Sequence, residues 1–326
     1  MAALLDRRLL VVTGKGGVGK TTVAAALGVV AAEQGRRALV VELGRQSRLP
    51  EIFGLEAGEQ GTPTRLLAGL SSLTVDPDRA LLEWLQALGG RVSGRILASS
   101  GTFQYFAAAA PGARELVAMI KVWRLTQGKG AKADLVILDA PATGHALGLL
   151  RSPHTFGAIA RVGPVARHAE QVGALLGDPA RSAYLGVALP TEMAVTEALE
   201  LQDGLQAALG RDLEDVVVNG LLPRRFQAAE LDRAELALHD KLELSHPAGA
   251  RPRGARTRER DEAALLRAAL EAAREAHDRG AFQHNQVARL RRRGFQTIGT
   301  PFLWHGATDA EAVRTIAGRL AQGLAR

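Results

Sequence analysis

The residues that could do chemistry begin near the amino terminus, with Gly14-Lys15-Gly16-Gly17-Val18-Gly19-Lys20-Thr21-Thr22. They fit the pattern GxxxxGK[ST]. Glycines at these spacings let backbone N–H groups turn inward around an anion, and a helix N-terminus placed next to them adds its positive end. Lys20 suits the β- and γ-oxygens of a nucleotide, and the Thr21 hydroxyl suits Mg²⁺. A second cluster runs Asp139-Ala140-Pro141-Ala142-Thr143-Gly144-His145. Asp139 closes an apolar run, where a carboxylate can hold Mg²⁺ through water. The residues after it would lie beside a terminal phosphate and could respond to its loss. The chemistry predicted is that of a nucleotide-phosphate site with Thr21 and Asp139 serving Mg²⁺.

The elements needed to position these groups can be read around them. Arg8–Thr13 reads as a buried strand, Lys20–Gln34 as a helix closed by Gly35, and Arg37–Glu42 as a second strand. Strand, glycine loop, helix and strand make a βαβ unit, which predicts a parallel sheet with right-handed crossovers. Further strands are expected at Asp134–Asp139, Ala183–Leu189, Asp215–Asn219 and Gln296–Thr300. Helices are expected at Asp76–Leu88, Pro111–Leu125, Glu192–Leu209, Gln227–Leu244 and Asp309–Ala325. His145–Leu176 reads as helix broken at Pro153 and Pro164, Ser245–Thr257 as a loop, and Glu259–Arg293 as helix interrupted near Gly280. The fold class expected is α/β: one doubly wound, mostly parallel domain over residues 1–326. Helical insertions at about 55–132 and 146–182 form a subdomain, and a charged helical segment spans about 227–295.

Composition narrows the chemistry further. The 326 residues include no cysteine, which excludes a disulfide framework, a thiolate metal site and a thiol nucleophile. The net charge is +7, but only six residues are lysine, and the arginines are interspersed with acids as on a solvated helix face. Nucleic acid is therefore not an expected partner. The start, MAALLDRRLLVV, is too short for a secretory core, and no apolar run approaches the ~20 residues of a membrane span. A cytoplasmic protein, at most peripheral at a membrane, is expected.

The loop sequence GKGGVGKT, with a second lysine at Lys15, resembles the deviant phosphate loop of the MinD/ParA, nitrogenase iron protein and ArsA-like ATPases. That resemblance implies an ATP-dependent dimer in which Lys15 reaches the partner's nucleotide. DAPATGH, read as switch II, resembles the ArsA-like branch, which includes arsenical-pump and tail-anchored-protein-targeting ATPases. Pro111-Gly112-x-x-Glu115, Leu189-Pro190-Thr191-Glu192-Met193-Ala194-Val195 with Glu197, and Val216-Val217-Val218-Asn219 resemble further motifs of that branch. The resemblance implies that Asn219 reads adenine, and that Pro301–His305, with Pro301 and Phe302, forms a second adenine-contacting loop. The amide of Asn219 suits this work because it both donates and accepts.

Three departures stand beside the resemblance. Family switch I carries an Asp that orients the attacking water; here Gly44, or Leu43 on a one-residue shift, occupies its place, and Glu42, the nearest acid, could be brought in by a local kink as the catalytic carboxylate. Without cysteine, neither thiolate-bound arsenite nor a Cys-zinc clasp between subunits can form. With only three Met, a Met-rich client groove is absent; apolar residues such as Trp84, Leu85, Met119, Ile120, Trp123 and Phe156 could line a groove for a hydrophobic protein client or form an ordinary helical core. The sequence thus predicts an ATP-binding, ATP-hydrolysing dimer, either a homodimer or a heterodimer with a related ATPase. The alternatives are a ParA/MinD-like positioning ATPase acting through Arg289-Leu290-Arg291-Arg292-Arg293, and a non-hydrolysing, nucleotide-gated subunit.

Overall fold

The computed structural model describes residues 4–88, 112–127, 133–159, 162–244, 253–304 and 308–324. Eight strands form one sheet: β1 (Leu9–Gly14), β2 (Ala38–Leu43), β3 (Thr64–Leu67), β4 (Leu70–Val75), β5 (Leu135–Ala142), β6 (Ser182–Ala188), β7 (Asp215–Leu221) and β8 (Gln296–Pro301). Their order is β3-β4-β2-β5-β1-β6-β7-β8, and only the β3–β4 pair is antiparallel. The central strands are mainly apolar, since helices cover both faces; β1 and β6 are buried along their whole lengths.

The helices follow from the crossover rule. From β1 the chain moves one way along the sheet to β2 through α1 (Lys20–Glu33). Most later crossovers run the other way, so right-handed connections put their helices on the opposite face. These are α3 (Pro77–Leu88), α4 (Ala113–Thr126), α5 (Thr143–Ile159), α6 (Pro164–Gly177), α7 (Glu192–Leu209), α8 (Ala228–Leu244) and α9 (Arg253–Arg292). α2 (Leu49–Ile52) is a short turn after β2, and α10 (Ala310–Leu324) packs beside α1. All parallel strands point their carboxyl ends to one edge, and the phosphate loop lies there.

The doubly wound α/β class holds, with four corrections. The stretch from residue 55 is not wholly helical, because β3 and β4 make an edge hairpin before α3 begins. Gly280 does not interrupt α9, which runs unbroken through it. That helix begins at Arg253, inside the expected loop; 245–252 lie outside the described residues, as do 89–111 and 128–132. Pro153 does not break α5. Proline cannot donate to the carbonyl four residues back, but the Ser152 hydroxyl donates to that same Leu149 carbonyl at 2.7 Å. The orphaned acceptor is satisfied and the helix continues.

In the helical layer, Met119 and Ile120 are buried in the core, and Trp84, Trp123 and Phe156 are partly buried and packed against it. No helix among the described residues is long and apolar enough to cross a membrane.

Ser152 is buried, so Ser152→Ala should leave the Leu149 carbonyl without a partner and lower the unfolding free energy by about 1–3 kcal/mol. Placing the same change in a Pro153→Ala background, where an N–H returns, should reduce that loss. Equal losses in both backgrounds, measured by urea titration, would refute the substitution of hydroxyl for amide.

Candidate functional site

The site is built where β1 ends. Gly14 is pressed against β6, and a Cβ there would lie 2.1 Å from the Val187 carbonyl oxygen. Gly17 and Gly19 have φ of +80° and +89°, in the left-handed region that glycine adopts at least cost. Gly19 caps α1. Val18 turns inward and is buried, while Gly16 and Gly17 stay exposed at the mouth. Thr22 is half-buried on the first turn of α1.

Lys20 donates to the Lys15 carbonyl at 2.8 Å. Partial burial lowers its pKa, and the charge of Asp139 opposes that shift. Thr21 donates its hydroxyl to Asp139 Oδ2 at 2.5 Å, so the two groups expected to serve the metal are in contact. Burial pushes the Asp139 carboxyl up to about 6, against the Thr21 hydrogen bond and the Lys20 charge. Its other oxygen, Oδ1, is buried with no hydrogen-bond partner, and so is the Thr143 hydroxyl. Buried oxygens without partners beside a lysine and a helix N-terminus fit a hydrated Mg²⁺ and a phosphate chain, which supply the missing donors and charge. Ala140 and Pro141 belong to β5, and Thr143, Gly144 and the exposed His145 form the first turn of α5.

Asn219 stands at the carboxyl end of β7. Its Nδ2 donates to the Val18 carbonyl at 2.9 Å, and its Oδ1 accepts from the Thr300 hydroxyl at 2.7 Å. The amide therefore ties the phosphate loop to β7 and β8, and each of its two atoms keeps bonding capacity for a base. Pro301 ends β8, and the Phe302 N–H bonds to the Leu221 carbonyl at 2.9 Å. Phe302 meets Trp304 edge to face at 5.0 Å, and the Arg225 guanidinium lies 5.5 Å from the Trp304 ring. Beyond them opens a cleft of about 1080 Å³ between the β7–α8 connection and α9. The sequence gives no local sign of this cleft, because α9 contributes to it from far along the chain. His305 lies outside the described residues.

Two of the expected residues bond elsewhere within the chain. Glu42 lies near the carboxyl end of β2. It is 6% exposed and accepts from the Ser47 hydroxyl at 2.9 Å and from the backbone N–H groups of Arg48 and Leu49 at 3.0 and 3.4 Å. Its carboxylate caps the loop that enters α2, because the β2 register points it under that loop beside Asp139. Lys15 lies back on its own chain, 2.6 Å from Glu197 on α7.

The basic run at the end of α9 is partly used within the chain. Arg289 bonds to Thr196 and Arg291 to Thr297. No group of three or more His, Cys, Asp or Glu side chains that could hold a metal occurs among the described residues.

The chain is similar in sequence to known proteins. A family model described as anion-transporting ATPase matches residues 7–163, which include the phosphate loop and Asp139–His145. ATPase BagA of Mycobacterium tuberculosis is 34% identical over 238 residues, covering 70% of this chain and 69% of that protein. The arsenical pump-driving ATPase of Escherichia coli is 29% identical over 269 residues, covering 73% of this chain and 43% of its own. ATPase GET3 of Paracoccidioides lutzii is 31% identical over 155 residues, 46% of this chain and 45% of that protein.

Glu42→Ala should remove the acceptor for a hydroxyl and two N–H groups, lowering the unfolding free energy by about 1–3 kcal/mol without nucleotide. An unchanged urea midpoint would show that the loop after β2 does not depend on Glu42.

Proposed function

The chain belongs to the ArsA-type anion-transporting ATPase family, and from that membership together with the site geometry we propose that it binds Mg·ATP and hydrolyses it as a dimer. The observation that carries the reading is the Thr21–Asp139 contact at the mouth of the phosphate loop, with Lys20 alongside and unpartnered oxygens facing it.

In this reading Lys20 leaves the Lys15 carbonyl and turns to the phosphate oxygens. The loop N–H groups and the N-terminus of α1 take up the remaining phosphate charge. Thr21 and Asp139 hold Mg²⁺, which when bound neutralises charge on the bridging and terminal phosphate oxygens. Asn219, Pro301 and Phe302 flank the base. Thr143 and Gly144 begin α5 right after β5, which carries Asp139, so loss of the terminal phosphate acts on the start of that helix. The helical layer α4–α6 is then the part that carries nucleotide state to a partner. Lys15 serves the nucleotide of the second protomer, supplying positive charge where the reaction develops negative charge.

The placement of Glu42 favours a second reading within the same family. Glu42 is engaged by the loop after β2 and position 44 is glycine, so neither offers a free carboxylate to orient water. A related subunit would then supply the competent water site, and this chain would act as the nucleotide-gated half of a heterodimer.

Sedimentation with and without Mg·ATP separates these outcomes. Wild type alone should shift from monomer to dimer with Mg·ATP, Lys20→Ala should bind no nucleotide, and Lys15→Ala should bind ATP but dimerise and hydrolyse at least tenfold less well, about 1.4 kcal/mol. A Lys15→Ala protein equal to wild type in both assays would remove the trans-acting lysine. Nucleotide binding without a homodimer would favour the heterodimer.

A further inference from the structure

The first lysine of the phosphate loop is not free in the single chain. Its ammonium lies 2.6 Å from Glu197 Oε1 and equally close to the Met193 sulfur. Both partners stand on α7, one turn apart, at positions i and i+4, so they share one face of the helix. Lys15 and Glu197 are each about one-third exposed at the side chain, and Met193 is 64% exposed. The pair therefore sits at the rim of the site, where a second protomer would approach. Within the same turn of α7, Thr196 accepts from Arg289 of α9, which fixes the other flank of this helix start.

We propose that Glu197 is a positioning residue that holds Lys15 on its own protomer until Mg·ATP and a second copy of the chain draw it across. This rests on the reading of Lys15 as the trans-acting lysine. A lysine cannot serve the partner's phosphates while its ammonium is held by Glu197 of its own chain, so forming the active dimer requires the contact to break. A half-exposed ion pair suits this purpose. Such pairs contribute little, which corresponds to about 1.5- to 5-fold in an equilibrium constant. That suffices to hold a flexible side chain in one place and is readily outcompeted by a triphosphate. The cost appears as a reduced fraction of competent protomers, so the apparent dimerisation constant weakens by the same factor for each lysine released. Exposed Met193 completes the seat: a soft, flexible side chain tolerates the departure of the lysine stem better than a rigid one.

The test uses the full chain with Mg·ATP, and reads specific ATPase activity and dimer fraction against protein concentration. It compares wild type, Glu197→Gln, Lys15→Ala and the double variant. Glu197→Gln should move the half-maximal concentration about 1.5- to 5-fold lower per protomer, and should have no such effect in the Lys15→Ala background. If Lys15→Ala is impaired but Glu197→Gln leaves the midpoint unchanged or raises it, the holding contact is refuted and the trans-acting lysine stands. The same holds if Glu197→Gln shifts the midpoint equally with and without Lys15. If Lys15→Ala matches wild type, the trans-acting lysine fails, and this inference fails with it.

Discussion

The site depends on how tightly β1 is held between β5 and β6. Val12 pairs with Asp139 on one side and Leu185 on the other, and the strand has no exposed residue. That register fixes the height at which Asp139 leaves the sheet relative to the start of α1, and so sets the Thr21–Asp139 contact. It also brings Gly14 so close to the Val187 carbonyl that no side chain fits there. A slip by one residue would turn every side chain of a parallel strand to the opposite face. Burial on both faces, with covering helices dictated by crossover direction, makes such a slip costly. Geometry at the mouth of the loop is thus a consequence of apolar packing several residues below it.

The charged and polar groups of the loop meet one another. Lys20 has the Lys15 carbonyl, Thr21 has Asp139, Lys15 has Glu197, and Asn219 has Val18 and Thr300. The more buried of these bonds satisfy groups that would be costly to leave unpaired; the Lys15–Glu197 pair lies at the exposed rim. The satisfaction is incomplete, since Asp139 Oδ1 and the Thr143 hydroxyl have no partner. Burial raises the Asp139 carboxyl to about 6, a sign that its surroundings under-compensate a charge. The site is therefore arranged in advance yet electrostatically unfinished, which suits a cation and a phosphate chain arriving together.

Much of this was legible in the residues. The phosphate loop, the apolar strand that carries Asp139 and the helix after it follow from spacing and apolar runs, because burial on both faces leaves an uninterrupted signature, although β5 runs on to Ala142. β3 and β4 were not legible: Thr64–Leu67 at the sheet edge and Leu70–Val75 beside it are short segments carrying Thr, Arg and Ser, and turn residues separate them. Pro153 misled because the rescue comes from one neighbouring hydroxyl, and Gly280 because a long helix tolerates a single glycine at about 1 kcal/mol. Glu42 was rightly singled out as a nearby acid, but its capping of the next loop depends on side-chain direction. Lys15 was read from its motif as reaching outward; its hold by Glu197 joins residues 182 positions apart and has no local sign. The cleft beside Trp304 has the same origin, a contact of β8 with a distant helix.

The central claim is that a complete catalytic site needs two chains, with Lys15 of one serving the nucleotide of the other. Specific ATPase activity of the wild-type protein, measured at saturating Mg·ATP over a hundredfold range of protein concentration, tests it most directly. The account predicts activity per chain that rises with concentration and levels off as the dimer fills. Activity per chain that stays constant from a concentration where the protein is monomeric would contradict it.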